Sequence, residues 1–165
     1  MRKGQISIYY GEGKGKTCVA VGRGLRAVGD EMRVVMIQFL DYHNTKELSV
    51  LKKLEPDFRT FRFEKHREAE NIDEAAMKEI SSEIRNAFNF SNKIVDTGEC
   101  EMLMLDGVLE CVEKEYLTEE ELIELIEKRP DYMDILLTGT MLPKKLSEKA
   151  DSIYCITTEK SASEF

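Results

Sequence analysis

The chain lacks tryptophan and has only three prolines, two histidines and four cysteines among its 165 residues. Cys18, Cys100, Cys111 and Cys155 are widely spaced and form no Cys-x-x-Cys pair. Neither a zinc site nor a disulfide framework is therefore indicated, and we expect reduced thiols in the core. The sequence also has no apolar stretch as long as a membrane span or a signal peptide, which predicts a cytoplasmic protein without membrane contact.

Positive charge is scarce as well, since 24 Lys and Arg stand against 32 Asp and Glu and give a formal net charge of -8. A protein that neutralises nucleic-acid phosphates needs the opposite balance, so we expect no nucleic-acid partner. The length is that of one domain with a sizeable core. We predict a single domain over residues 1–165, in which the polar residues 157–165 form a mobile tail.

The most informative feature present is a glycine-rich stretch that follows an apolar run and precedes a helical pattern. It consists of Gly11, Glu12, Gly13, Lys14, Gly15, Lys16 and Thr17. Glycines let the backbone turn tightly with its N–H groups inward, and the following helix adds the positive end of its dipole. A lysine for the phosphate oxygens and a hydroxyl for Mg²⁺ complete the pattern. We therefore predict a phosphate loop that binds a nucleoside triphosphate; the alternative is a flexible loop with incidental lysines.

One position departs from the standard phosphate loop. That loop begins with a glycine where this chain has Tyr10, so Gly11 and Gly13 must make the turn instead.

Apolar runs alternate with helical patterns along the rest of the chain. Short apolar runs predict strands at residues 6–10, 33–39, 58–63, 102–105, 134–138 and 152–156. Helical spacing, capping signals and terminators predict helices after the loop up to residue 28, near 44–54, and at 71–92, 117–128 and 143–150. The order βαβαβαβαβαβ predicts an α/β protein with a mainly parallel sheet flanked by helices, like the RecA-like type of phosphate-loop NTPase.

Capping boxes support two of these helices. One is predicted at residues 44–47, and a second at Thr118 and Glu121, where Leu117 and Leu122 add a hydrophobic staple.

An acidic residue, Asp106, ends the strand predicted at residues 102–105. Open α/β sheets have their sites at the carboxyl ends of the strands, and a phosphate loop is expected there too. We predict that Asp106 and Thr17 bind Mg²⁺ or Mn²⁺. The alternative for Asp106 is a carboxylate that caps a turn.

Further short motifs follow the loop in a characteristic order. They are residues 24–29 (Gly-Leu-Arg-Ala-Val-Gly), 34–40 (Val-Val-Met-Ile-Gln-Phe-Leu), 103–106 (Leu-Met-Leu-Asp), 129–130 (Arg-Pro), 137–139 (Leu-Thr-Gly) and 146–151 (Leu-Ser-Glu-Lys-Ala-Asp). Together with the unusual loop, they resemble the ATP:corrinoid adenosyltransferase family of the phosphate-loop type over most of the chain.

The resemblance implies a reaction and its participants. The cobalt(I) of a reduced corrinoid would attack the 5′ carbon of ATP, take the 5′-deoxyadenosyl group and expel triphosphate. The loop would bind ATP in a reversed orientation, with Lys16 and Thr17 catalytic and Thr17 and Asp106 on the metal ion. Arg26 in the first helix would reach the nucleotide; its alternative is a solvated helix arginine. A homodimer and a reductase that supplies electrons are implied as well.

Two positions near the metal and the loop depart from the family pattern. Gly107 follows Asp106 where the family has glutamate, and Thr140 stands where the family commonly has arginine. We interpret Glu110 and Glu113 as surface acids; the alternative is that one of them compensates for the missing glutamate from the next turn.

The corrinoid side has no tryptophan, although family members often place one there. Phe61, Phe63 and His66 occupy that region. We interpret the two phenylalanines as core residues and His66 as a surface residue.

These departures leave two alternatives open. One is a non-catalytic ATP-binding regulator or corrinoid sensor derived from the family. The other is an ATPase or kinase that acts at the terminal phosphate; it needs a base to orient water or a hydroxyl, and the sequence offers no convincing candidate.

Overall fold

Six strands form one sheet in which all neighbouring strands run parallel. The computed structural model describes residues 2–40, 46–68, 70 and 72–162. The strands are β1 (Ile6–Tyr10), β2 (Val34–Gln38), β3 (Phe58–Arg62), β4 (Met102–Asp106), β5 (Asp134–Gly139) and β6 (Ser152–Cys155). Their order across the sheet is β3-β2-β4-β5-β1-β6. The predicted α/β class and the predicted parallel sheet are confirmed.

The helices that join these strands agree with the prediction in most places. They are α1 (Lys16–Gly29), α2 (Glu47–Leu51), α3 (Glu74–Thr97), α4 (Val108–Glu113), α5 (Glu119–Glu127) and α6 (Lys144–Lys149), with a 3₁₀ turn at Lys52–Leu54 after α2. Helix α3 continues five residues beyond its predicted end at residue 92, because Ile94 and Val95 extend its buried face. Gly98, in a left-handed conformation, ends it.

The prediction missed helix α4, so two helices rather than one connect β4 to β5. This helix has six residues, which is too few for a helical period to be recognised in the sequence. Its neighbour α5 begins as predicted, since Thr118 and Glu121 form the capping box. The capping box predicted at residues 44–47 lies partly outside the described residues.

Helices cover both faces of the sheet, as predicted. Residues of β2 show the alternation, because Val35 and Ile37 join the hydrophobic cluster under α3, α4 and α5, whereas Val34 and Met36 join the cluster under α1 and α2. Phe58 at the start of β3 is fully buried in the second cluster. The sheet is therefore buried on both faces, and its carboxyl edge carries the loops that follow the strands.

The four cysteines divide into two kinds. Cys100 and Cys111 are buried, whereas Cys18 and Cys155 are exposed, so the expectation of core thiols is wrong for two of the four. Burial raises the pKa of the Cys100 thiol to about 12 and also raises the pKa of Cys111. Within the described residues, no helix is both long enough and apolar enough to cross a membrane.

Candidate nucleotide and metal site

The phosphate loop, residues 11–17, leads from the end of β1 into α1. The Gly11 N–H donates to the Gly139 carbonyl (3.1 Å), and the Gly13 N–H donates to the Ile156 carbonyl (2.9 Å). A Cβ atom on Gly11, whose φ is 124°, would lie 2.3 Å from the Ile156 oxygen. No side chain could be accommodated at this contact, so Gly11 and Gly13 do make the turn that follows Tyr10.

Lys16 folds back over the loop. Its Nζ donates to the carbonyl oxygens of Gly11 (2.6 Å) and Gly13 (2.9 Å). Helix α1 begins at Lys16, and no side chain caps its N-terminus. Its N–H groups and its positive dipole end therefore lie beside the lysine ammonium, an arrangement suited to a polyanion.

The metal-side residues meet through the Asp106 carboxylate. Thr17 Oγ1 donates to Asp106 Oδ2 (2.8 Å), and Thr138 Oγ1 donates to Asp106 Oδ1 (2.6 Å). The Gly107 N–H in turn donates to Thr138 Oγ1 (2.7 Å). Asp106 is buried, with 4% of its surface exposed. The structure thus brings the two predicted metal ligands, Thr17 and Asp106, together, and adds Thr138, which the sequence analysis quoted within the 137–139 motif but gave no role.

Gln38, at the end of β2, lies in the same network. Its Nε2 is 3.4 Å from Asp106 Oδ2, and its side chain is buried. Among the described residues, Gln38 Oε1 has no hydrogen-bond partner. An unpartnered buried acceptor costs about 1–3 kcal/mol, and Mg²⁺ or a water bound to it would satisfy such an oxygen. The residues present therefore fit a magnesium ion. The unpartnered amide oxygen of Gln38 could not have been predicted from any pattern in the sequence.

The backbone conformation of the turn after Asp106 favours a glycine at position 107. Gly107 has a φ of 81°, a conformation that side-chain-bearing residues rarely adopt. A Cβ atom here would lie 2.4 Å from the carbonyl oxygen of Phe39, whose N–H donates to the Asp106 carbonyl (2.8 Å). A glutamate at position 107 would therefore strain this turn and require the backbone to shift.

Another acid, Glu110 in the first turn of α4, lies within the electrostatic field of the loop. Burial raises the pKa of the Glu110 carboxyl; the positive charges of Lys114 and Lys16 oppose this shift, and the negative charge of Asp106 adds to it. Glu110 is half-buried, so its interpretation as a surface acid is wrong.

Glu113, one turn further along α4, contrasts with Glu110. It is exposed and accepts a hydrogen bond from Thr140 Oγ1 (2.8 Å), so the interpretation of Glu113 as a surface acid is confirmed.

Several predicted residues lie away from this centre. Arg26 is exposed in the last turn of α1, ten residues after Lys16 and thus about 15 Å along the helix. The structure does not bring it to the loop, and its contact with the nucleotide stays a prediction. Glu12 and Lys14 belong to the loop but have exposed side chains.

The aromatic residues of the middle segment are core residues, as interpreted. Phe61 and Phe63 pack on Phe90, with ring centroids 4.7 and 5.4 Å apart. His66 is exposed.

The predicted tail lies partly outside the described residues. Residues 157–162 form no helix or strand, and the Lys14 N–H donates to Thr158 Oγ1 (3.1 Å). Its mobility stays a prediction.

A parallel sheet of this strand order, with a glycine-rich loop after β1 and an acid at the end of β4, defines a protein of the phosphate-loop class. Residues 2–164 match the family described as ATP:corrinoid adenosyltransferase BtuR/CobO/CobP, and the chain belongs to this family. The resemblance seen in the motifs is thereby confirmed.

Individual relatives are distant. The chain is 27% identical over 156 residues to the corrinoid adenosyltransferase of Escherichia coli (strain K12), which covers 92% of this chain and 75% of that protein. It is 26% identical, with the same coverage, to the corrinoid adenosyltransferase CobA of Salmonella typhimurium. An uncharacterized protein of Nostoc sp., all2391, is 26% identical over 90% of this chain and 42% of its own length.

Proposed function

We propose that this chain transfers the 5′-deoxyadenosyl group of ATP to the cobalt(I) of a reduced corrinoid and releases triphosphate. The observation that carries the proposal is the contact between Thr17 and Asp106 beside a loop that already encloses the Lys16 ammonium. This arrangement offers cationic and N–H groups to a triphosphate and hard oxygen ligands to its metal ion.

The loop residues suit a reaction in which triphosphate leaves. The electron pair of cobalt(I) forms the bond to the 5′ carbon, the bond from that carbon to its phosphate oxygen breaks, and the electron pair of that bond stays on the triphosphate. Negative charge therefore accumulates on the leaving group. Lys16, the N–H groups of the loop and the N-terminus of α1 stabilise this charge where it develops. Lys14, at the exposed side of the loop, adds a second cation.

The metal side of the site would hold Mg²⁺ or Mn²⁺ through Thr17 and Asp106. A bound ion supplies further charge neutralisation for the leaving triphosphate. Gln38 and Thr138 keep the Asp106 carboxylate in place through their hydrogen bonds. We propose that Glu110 provides the second carboxylate, since the backbone at Gly107 disfavours a glutamate there.

One observation favours the non-catalytic regulator as a second candidate. The family's metal-binding glutamate is replaced by Gly107, so an ATP binder that has lost transfer would carry the same loop and the same turn. The two candidates differ in a single measurable outcome, because only the transferase forms a cobalt–carbon bond.

The test is an anaerobic reaction of the full chain with Mg²⁺, ATP and chemically reduced cob(I)alamin, followed by visible spectroscopy. We expect a light-sensitive adenosylcorrinoid to form with the parent chain and not with Lys16→Ala. Saturable ATP binding without this product, across both amidated and carboxylate-bearing corrinoids, would establish the regulator instead. Steady release of orthophosphate would favour the ATPase.

The homodimer and the reductase partner belong to the same proposal. A solution mass of twice 19.0 kDa by light scattering would support the homodimer.

A further inference from the structure

The segment that follows β6 crosses the phosphate loop at close range. Ile156 continues the pairing of β6 with β1, because its N–H donates to the Tyr10 carbonyl (2.8 Å) and its carbonyl accepts from the Gly13 N–H (2.9 Å). A Cβ atom on Gly13 would lie 2.7 Å from the Ile156 oxygen and 2.8 Å from the carbonyl carbon of Thr157. The loop and this segment therefore pack backbone against backbone, a contact that only glycine allows.

Two residues after Ile156, a side chain makes the next contact with the loop. The Lys14 N–H donates to Thr158 Oγ1 (3.1 Å). Backbone N–H groups of a phosphate loop are the donors that surround phosphate oxygens. The Thr158 hydroxyl therefore occupies a donor that a bound triphosphate would use.

Ile156 and Thr158 differ in how firmly the fold holds them. Ile156 is half-buried, packs on the hydrophobic cluster under α1 and α2, and is hydrogen-bonded to the neighbouring strand. Thr158 is exposed and lies outside the helices and strands, so its hydrogen bond to the loop can exchange with water. Thr158 can therefore leave the loop while Ile156 stays in place and the sheet is unchanged.

We propose, on the basis of the proposed function, that residues 157 and 158 form a self-inhibitory contact that triphosphate displaces from the loop. The loop then has two states, one closed by Thr158 and one in which the Lys14 N–H is open to an anion. The apparent affinity for triphosphate is the affinity of the open state reduced by the fraction of chains that are open. Triphosphate is also the product that must leave, and the same competition lowers the affinity of the loop for it.

The first test measures the binding of inorganic triphosphate to the full chain by isothermal titration calorimetry. Thr158→Val keeps the shape of the side chain but removes the acceptor of the Lys14 N–H, so we expect triphosphate to bind about threefold more tightly. Thr158→Ser keeps the hydroxyl and should bind like the parent. Thr157→Val is the matched control, because Thr157 is equally exposed and the hydroxyl on Lys14 is that of Thr158.

The second test uses the reciprocity of this competition, since a ligand that binds only the open state must release the segment. Lys160 is exposed just beyond Thr158, and trypsin cleaves after lysine. We expect saturating triphosphate to speed the appearance of peptide 161–165 about threefold in the parent, as followed by mass spectrometry. Ligand binding slows cleavage that requires global unfolding, so only local release gives this acceleration. Thr158→Val without triphosphate should already show the faster rate, and Lys16→Ala at the same triphosphate concentration should show no acceleration.

Three outcomes would overturn the inference and leave the transferase proposal intact. Equal affinity of the parent and Thr158→Val would mean that Thr158 does not compete with triphosphate. Weaker binding by Thr158→Val would make its hydroxyl a ligand of the phosphates, and slower release of peptide 161–165 with triphosphate would mean that the segment closes on the bound anion. Failure of the parent chain to bind triphosphate at all would overturn the proposed function as well.

Discussion

The phosphate loop and the β4–α4 turn are two halves of one site, and they are built in different ways. In the loop, seven consecutive residues supply the turn, the lysine and the hydroxyl, and the lysine's hydrogen bonds stay within the same segment. In the turn, Asp106 makes contacts with side chains from α1, β2 and β5. Gly107 packs directly on the backbone that follows β2, where it leaves no room for a Cβ atom.

The two halves also differ in how well they match the family pattern, since the loop has the expected lysine and hydroxyl whereas the turn has Gly107. A local motif takes its geometry from its own consecutive residues, so we expect substitutions of its glycines or of Lys16 to weaken triphosphate binding. A site assembled from distant segments can take a carboxylate from a neighbouring turn, and we propose Glu110 for that role.

The largest expected effect is in the loop. Lys16→Ala removes the one ammonium hydrogen-bonded inside it, and we expect affinity for triphosphate to fall at least about 100-fold, near 3 kcal/mol, by isothermal titration calorimetry. Stability should change by only about 1–2 kcal/mol, because two hydrogen bonds to carbonyls of the loop itself are lost. Lys3→Ala, at the opposite edge of the sheet, is the control. If Lys16→Ala kept its affinity for triphosphate, the loop would not owe its binding to its own consecutive residues, and the contrast with the turn would be wrong.

The second test concerns the turn. Gly107→Glu restores the family's residue but forces a side chain into a left-handed conformation against the Phe39 carbonyl. We expect it to lower the free energy of unfolding by about 1–3 kcal/mol without strengthening metal binding, measured by chemical denaturation and by Mn²⁺ titration.

Gly22→Ala is the matched control for this substitution, because a Cβ there meets nothing within 4 Å. It should stabilise α1 by about 0.5–1 kcal/mol. Tighter Mn²⁺ binding in a stably folded Gly107→Glu variant would show that the turn accepts the family's arrangement.

A smaller effect is expected at Glu110, the proposed second carboxylate of the metal side. Glu110→Gln should weaken Mn²⁺ binding to the ATP complex about five- to tenfold, because it removes one negative charge beside Asp106, as followed by electron paramagnetic resonance. Glu113→Gln, whose parent side chain is exposed and bonded to Thr140, should bind Mn²⁺ like the parent. Equal effects of the two substitutions would remove Glu110 from the metal side.

The smallest effect is the pH dependence of the same substitution. Burial raises the folded-state pKa of Glu110, so the folded chain holds this proton more tightly than the unfolded chain. Stability is therefore lost as the pH rises from the ordinary glutamate pKa through the raised one. Glu110→Gln should be more stable than the parent at pH 7, and the two should converge below about pH 4 in denaturation curves. A variant less stable at pH 7 would contradict this account.

The parts of the molecule that sequence predicted are those in which neighbours along the chain determine the geometry. The loop, the strands and the capping box at Thr118 all follow from short patterns, and each is present. Helix α4 was missed because six residues carry no recognisable period.

The rest depended on packing between distant segments. Burial distinguishes Glu110 from Glu113, and it leaves Gln38 Oε1 without a partner among the described residues. No pattern in the sequence reports either fact, because both arise only when β2, β4 and α4 meet at the edge of the sheet.

The most direct test of the central claim identifies what leaves the nucleotide. ³¹P NMR of the anaerobic reaction with Mg²⁺, ATP and a reduced corrinoid follows the fate of the three phosphates. The account predicts intact triphosphate in equal amount to the adenosylcorrinoid formed, and neither product with Lys16→Ala. Orthophosphate or diphosphate as the first product would contradict it, because the loop would then serve cleavage between phosphates instead of departure of the whole triphosphate.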